Sequence, residues 1–409
     1  MTLAHSPLGA SGSYRWLPPP YGGGCEASPT LSSGADDPES EYAALGTAAH
    51  TLAAHCLSTG SDAWQHIGQG FPLAGGLVLG PSETELPSGF FCVDKNMADA
   101  VQVYLDAVHR EHPDRDQSNT WIERRFHCPS VHRLFFGTAD LVHLDGDTLH
   151  LWDYKHGAGV VVEVQQNPQL MYYAVGALAD LDLWKTVSKV VLHIAQPRGW
   201  HSSGPIRDWG IGTRDLWEWT HDVLIPAMNR VEAGSSVTRS GEHCRFCSAR
   251  YRACPQLAKD ADELEALMKT MNDSGGAPHL TNEQVGRLLT LGETLKIAAK
   301  AARETGFARA EKGGVIPGWK LAQARSNREW KENAETAARD KFSDRAFTQP
   351  ELKSPAGIDE LPLGKEFTSE YAFKPSAGLQ LVPASDARQE AGPAVKSMFK
   401  PVGKKSSRK

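Results

Sequence analysis

Long apolar runs are missing from this chain. No stretch approaches the roughly 18 uninterrupted apolar residues of a membrane-spanning helix, which excludes an integral helical membrane protein. Residues 1–20 show no basic segment followed by an apolar core, so no secretory leader is expected and the expected setting is cytoplasmic. Cysteine is scarce, seven in 409 residues, and the number is odd. A disulfide framework is therefore not expected, and cysteines that group together are better read as ligands. Charge of one sign is not in large excess: 43 Lys and Arg stand against 49 Asp and Glu, a net charge of −6. That excludes a uniformly basic nucleic-acid coat but leaves room for a local basic groove. What is present is ordinary for a soluble enzyme, with 40% hydrophobic and 8% aromatic residues, too apolar for a wholly disordered chain. At roughly one domain per 150 residues, two or three units are expected.

Patterning divides the chain. Residues 1–40, rich in Gly, Pro and Ser, read as irregular, and an alanine-dense helix follows over Glu41–Leu57. A Gly- and Pro-punctuated loop (58–89) leads to a helix over Asp94–Glu111. Aromatic and β-branched residues at short spacing predict strands over Trp121–Phe126, Leu134–Leu144 and Thr148–Lys155. Asn167-Pro168 opens a helix to Ala179, Val187–Ala195 reads as a strand, and Thr213–Val231 as a helix. Leu257–Met271 and Asn282–Lys312 are helical in period, and the last sixty or so residues lose that period. The expected organisation is an α/β unit over 1–260, a helical accessory region over 261–345 and a tail over 346–409. The stretch Lys396–Lys409 holds six basic residues and no acid. It reads either as a solvated end or as a non-specific contact to phosphate.

The most informative stretch is Gly137-Thr138-Ala139-Asp140, Asp145-Gly146-Asp147 and Asp153-Tyr154-Lys155. Asp-Gly and Gly-Asp are both two-residue hairpin signals. With Gly146-Asp147 as the loop, Asp140 lies directly opposite Asp153; with Asp145-Gly146, the two are diagonal on one face. Either way the carboxylates come within about 5–8 Å. A three-residue loop would put them on opposite faces. Lys155 shares the face of Asp153, with Phe136, Val142, Leu149 and Leu151 as apolar neighbours. The arrangement is either a salt bridge at a sheet edge or a hard-metal site. Carboxylates suit Mg²⁺, and a neighbouring lysine can stabilise the charge of a phosphoryl transition state.

These residues resemble the core of the PD-(D/E)XK nucleases, with Asp140 and the Asp153-Tyr154-Lys155 triplet in their motif positions. Gln169-Leu170-Met171-Tyr172-Tyr173 resembles the Q-x-x-x-Y motif of the RecB-like branch, and Gly46-Thr47-Ala48-Ala49-His50 its first motif. The resemblance implies a mixed sheet flanked by helices, Mg²⁺ or Mn²⁺ held by His50, Asp140, Asp153 and the Tyr154 main-chain carbonyl, and Lys155, Gln169 and Tyr173 completing the catalytic site. Glu123, on the strand before the hairpin, corresponds to a further acidic position near it. Asn167-Pro168-Gln169-Leu170, Gly318-Trp319-Lys320-Leu321 and Arg325-Ser326-Asn327-Arg328 are similar to signatures of an uncharacterised phage-encoded RecB-like family. That likeness covers most of residues 10–340.

Cys244-x2-Cys247-x6-Cys254-Pro255 has metal-ligand spacing, and three thiolates need a fourth ligand. The RecB-like resemblance implies a [4Fe–4S] cluster with Cys25 as that ligand, tying the two ends of the α/β unit together. Structural Zn²⁺ completed by His243 or Cys25 is the rival, and free thiols a third reading. Cys56, Cys92 and Cys128 stand alone. Arg245, Arg250 and Arg252 either balance thiolate charge or face DNA. The expectation is thus a Mg²⁺- or Mn²⁺-dependent deoxyribonuclease, an exonuclease in phage recombination or end-processing. DNA and a phage single-strand annealing protein would be its partners, in the bacterial host cytoplasm. The competing expectation is a non-catalytic DNA-binding scaffold that keeps the fold and a structural metal cluster.

Overall fold

The computed structural model describes residues 6–34, 41–72 and 90–320, with Lys365. The chain divides into two compact units, residues 1–322 and 323–409. The helical region expected at 261–345 belongs to the first unit as far as Ala322, and the expected tail falls, Lys365 apart, outside the described residues.

The segment read as irregular carries two short helices, α1 (Ala10–Trp16) and α2 (Ser28–Ser32). Propensity does not announce them. Burial does: Leu8, Trp16 and Leu17 lose almost all contact with water in the core described below, and tertiary packing overrides weak local preference. Next come α3 (Glu41–Thr59), the short pair β1 (Gly70–Pro72) and β2 (Phe90–Cys92), and α4 (Lys95–Glu111). Asp94 caps α4, accepting the Met97 amide. Three strands follow, β3 (Thr120–His127), β4 (Phe136–Asp145) and β5 (Thr148–Tyr154). Helix α5 (Pro168–Asp180) starts at the Asn167 cap with proline at its first position, as the sequence predicts.

Beyond it lie β6 (Lys189–Ala195), β7 (Ile206–Gly212), α6 (Thr213–Trp219) and α7 (Ile225–Glu232). The helix expected over Thr213–Val231 is therefore split. A wider π-type turn at Thr220–Leu224 separates its halves, because Pro226 lacks an N–H and its ring would crowd the carbonyl one turn back. β7 has no strong strand signal, since it carries two glycines and no clean alternation. Helices α8 (Pro255–Asp273) and α9 (Asn282–Glu311) pack on each other, and α9 reaches the cysteine loop through Tyr251 Oη–Glu304, 2.6 Å.

The five strands β3-β4-β5-β6-β7 form one mixed sheet in that order. Only β5 and β6 are parallel, and α5 supplies the crossover that a parallel pair requires. One face, with Val142, Leu149, Leu151 and Leu192, packs on α5, α1 and α7. The other, with Leu141, Trp152 and Tyr154, packs on α3 and α4. The hairpin turn is Gly146-Asp147, because Asp145 pairs with Thr148 and Leu141 with Trp152; Gly146 sits at φ 57°. Continued by one step, that register sets Asp140 opposite Asp153, the first of the two arrangements the sequence allows.

No helix among the described residues is long and apolar enough to cross a membrane. Where α5 crosses β3, a Cβ on Gly176 would lie 2.2 Å from the Phe126 ring. Gly176→Ala should therefore cost about 1–3 kcal/mol through overpacking, more than the helix gains from losing a glycine. A lower denaturant midpoint is expected; an unchanged or raised one would contradict this packing.

Candidate metal centre at the sheet bend

Strands β3 and β4 change faces at one shared level. On β3, Phe126 belongs to the α5-side core and Arg124 is ion-paired with Asp180 of α5, whereas Ile122 packs on the α3/α4 side. On β4, Ala139 belongs to the α5 side, Leu141 to the α3/α4 side and Val142 to the α5 side again. Alternation thus slips by one at Glu123 and at Asp140. The register survives, since Arg124 pairs with Ala139 below the slip and Ile122 with Leu141 above it. Glu123 absorbs the bend with φ 48°, a left-handed conformation that non-glycine residues seldom adopt without a functional reason. Phe136, expected on the Val142 face, lies on the opposite side of the slip, half-buried against Arg125 and His127.

The slip aims Glu123 and Asp140 at α3. One ligand atom each from His50, Glu123 and Asp140 lies within 4.8 Å of the others. They line a narrow cleft with Leu57, Tyr104 and Tyr154. His50 Nδ1 stands 3.3 Å from Asp140 Oδ2, and the Tyr154 amide donates to the same oxygen at 2.8 Å. Asp153, expected on the same face as Asp140, projects instead to the α5 side and is buried, because the alternation of β4 slips at Asp140 while that of β5 does not. Its Oδ1 accepts from Gln169 Nε2 at 3.3 Å, and Lys155 Nζ lies 2.8 Å from its Oδ2 without the alignment of a hydrogen bond. Lys155 donates to Gln169 Oε1 at 3.1 Å, and Gln169 Nε2 reaches the Tyr173 hydroxyl at 3.3 Å.

These contacts separate the carboxyls. Burial pushes the Asp153 carboxyl up, as does the charge of Asp140, and Lys155 only partly offsets them. Burial would raise Asp140 too, but His50, Lys155 and the Tyr154 amide outweigh it and hold Asp140 below the usual range. Burial would lower His50, yet Asp140 and then Asp153 raise it to about 9. Glu123 keeps an open side to water; lost hydration on its inner side, then the Asp140 charge, push it up to about 7. Two carboxylates and an imidazole gathered in one cleft are a donor set that fits a hard divalent cation.

The structure therefore brings together His50, Asp140, Asp153, Lys155, Gln169, Tyr173 and the backbone of Tyr154. Asp153 is set apart from the His50–Glu123–Asp140 group and is engaged by Lys155, while Glu123 stands inside it. Tyr104 escaped sequence reasoning altogether. It is buried in the cleft, stacked on Tyr154 with centroids 5.3 Å apart, and its hydroxyl has no hydrogen-bond partner among the described residues. Nothing in the amphipathic pattern of α4 distinguishes it from a core aromatic.

The four cysteines converge elsewhere. Ionisation of one raises its neighbours: Cys25 feels Cys247 and Cys254, and Cys244 feels all three others, on top of the larger effect of burial on both. The Cys25 segment is tied to the cysteine loop by Ala27 N–H to Val237 O (2.9 Å), Arg15 to Phe246 O (2.9 Å) and Arg252 to Ser33 O (2.8 Å). Gly23 is needed there, because a Cβ would lie 2.1 Å from His243 Nδ1. His243 Nε2 is engaged with the Arg239 carbonyl at 3.0 Å. Zinc thiolates at 2.3 Å in a tetrahedron have sulfurs about 3.8 Å apart. No three cysteine sulfurs among the described residues lie within 4.8 Å of one another. Arg250 and Arg252 donate to carbonyls of the loop and of the Cys25 segment, so they hold the fold together. Of the distal signatures, Gly318 lies in a turn closed by the Trp319 amide on the Ile316 carbonyl at 3.0 Å, while Leu321 and 325–328 lie outside the described residues.

An α/β domain with an acidic cleft where its sheet bends is thus the class that fold and site define. The chain belongs to the family described as "Protein of unknown function (DUF2800)", whose model matches residues 5–389. It also shows a weak likeness to a solved structure described as "Crystal structure of SSO0001", at 13% identity and TM-score 0.21, over 38% of this chain and 68% of that one.

The bend makes a backbone prediction. With the carboxyl removed in both, Glu123→Gly should be more stable than Glu123→Ala by about 1 kcal/mol, the reverse of the order in a regular strand. Equal or reversed denaturant midpoints would contradict the left-handed position.

Proposed function

We propose that this protein is a Mg²⁺- or Mn²⁺-dependent deoxyribonuclease of PD-(D/E)XK type, acting as an exonuclease on linear DNA. The observation that carries this reading is the row Glu123–Asp140–Asp153 across three adjacent strands, with His50 on one side and Lys155 on the other. His50, Glu123, Asp140, Asp153 and the Tyr154 carbonyl would hold the cation, which when bound supplies Lewis acidity and lowers the pKa of water. The protein's own groups do the rest. Lys155 places a positive charge beside the reacting phosphate, where negative charge grows in the transition state. Gln169 fixes Lys155 and Asp153 together and is itself held by Tyr173. The unpartnered Tyr104 hydroxyl is a donor for a phosphate oxygen or a water in the cleft.

The cysteine loop is proposed to hold a [4Fe–4S] cluster through Cys25, Cys244, Cys247 and Cys254. The cluster would clamp the Cys25 segment to the loop before α8. The proposed setting is end-processing of phage DNA in a bacterial host, beside a single-strand annealing protein.

Two experiments test this. Anaerobically purified protein should degrade linear DNA with Mn²⁺ and spare circles. Asp153→Ala should lose activity on the order of 10³-fold while keeping its circular dichroism spectrum. Retained cleavage in the variant would sink the assignment, as would silence of unaltered protein with an intact cluster. For the cysteines, the preparation should be brown, with iron and acid-labile sulfide in equal amounts, and Cys247→Ser should lose both. A colourless, zinc-containing protein would overturn the cluster.

A further inference from the structure

A second set of ligands, on the α4 side of the sheet, takes no part in the chemistry above. His112, which ends α4, His150 of β5 and His193 of β6 each offer a ring nitrogen within 4.8 Å of the others. His112 and His193 are buried, and His150 keeps partial access to water. His150 Nδ1 lies 3.0 Å from His193 Nε2, and His112 Nε2 accepts from Trp152 Nε1 at 2.9 Å. A fourth imidazole, His143, lies beside His112 with centroids 4.2 Å apart, its Nδ1 bonded to the Thr120 hydroxyl at 2.9 Å. His143 and His150 face each other across the hairpin, three residues along their strands from Asp140 and Asp153, or about 10 Å.

We propose that His112, His150 and His193 form a separate metal site for a borderline transition ion, with Zn²⁺ as the working identity.

Three arguments support it. The first is composition. A sheet face packed on helices is otherwise apolar here, and burying three imidazoles and half-burying a fourth where leucine or phenylalanine would pack costs hydration that their hydrogen bonds recover only in part. The second is the donor type: neutral imidazole suits Zn²⁺, Ni²⁺ or Cu²⁺ and is a poor match for the Mg²⁺ or Mn²⁺ of the carboxylate cleft. The charged groups nearest the cluster, Arg115, Asp116, Asp145 and Lys189, are of mixed sign.

The third argument is placement. The three residues come from α4, β5 and β6, so one ion would join the helix to the two strands of the parallel pair. Binding would replace the His150–His193 contact and compete with the Trp152 hydrogen bond to His112. Trp152 stacks flat on His193, with centroids 4.0 Å apart, and walls the cluster toward Tyr154 and the cleft. Three protein ligands with the partly exposed His150 leave the fourth position for water or for His143.

The test uses the full chain, free of any histidine tag and dialysed against a chelator, titrated with Zn²⁺ and assayed for bound metal. The wild type is compared with Asp153→Ala, His150→Gln and His193→Gln. One equivalent should persist in Asp153→Ala and disappear from both histidine variants. Folded histidine variants that retain the wild-type stoichiometry would overturn the proposal. Because a buried histidine variant can fail to fold, the unaltered protein is also titrated with Co²⁺. An equivalent with visible d–d absorption and no thiolate charge-transfer band is expected. If every bound equivalent carries that band, the ion sits on the cysteines and the proposal fails.

Discussion

The structure turns on one constraint: two paired strands exchange faces at the same level without losing register. A single-strand bulge would have shifted every partner beyond it and turned β4 inside out. Because Glu123 and Asp140 slip together, the hydrophobic sets above and below both stay buried. The two residues at the level itself belong to neither core. Their side chains are free to meet His50 of α3, and the cost is a left-handed glutamate. Strain of this kind, of order 1–3 kcal/mol, persists where the surrounding packing over-determines it.

From that level the rest of the site follows. β5 keeps regular alternation, so Asp153 and Lys155 point to the α5 side while Trp152 and Tyr154 point to α3 and α4. Asp140 sits at the junction, bonded to the Tyr154 amide and facing His50, and it and Asp153 are tuned in opposite directions. One is buried, pushed up and coupled to a lysine; the other is held low by imidazole and amide. Such a pair, driven apart by its environment, marks positions where acid and base roles divide. Helix α5 serves both the fold and the site, since it makes the crossover between β5 and β6 and carries Gln169 and Tyr173 on one face.

Much of this was legible in the sequence, and the reasons are specific. Asp145-Gly146-Asp147 announced the hairpin and left two registers open, both bringing Asp140 near Asp153; the structure takes the Gly146-Asp147 turn. Asn167-Pro168 announced α5 and so placed Gln169 and Tyr173. The bend was not legible: a coupled slip keeps the spacing of apolar residues on each side and looks like ordinary alternation with one acidic interruption. Hence Phe136 was expected on the wrong face, and Glu123 could be named but not placed in the ligand group. Tyr104 and the four histidines carry no joint signal along the chain, since only the sheet and α4 bring them together. Helix α1 forms through burial of Leu8, Trp16 and Leu17 and not through propensity.

The central claim is that the bend places Glu123 with Asp140 and His50 around one hard cation. Calorimetric titration of Mn²⁺ into unaltered protein, Glu123→Gln and Asp140→Asn tests it most directly. One saturable site is expected in the unaltered protein, weakened at least about tenfold by either substitution, a loss of about 1.4 kcal/mol or more. Wild-type affinity in both variants would mean that the carboxylates at the bend are not ligands, and the account would fail.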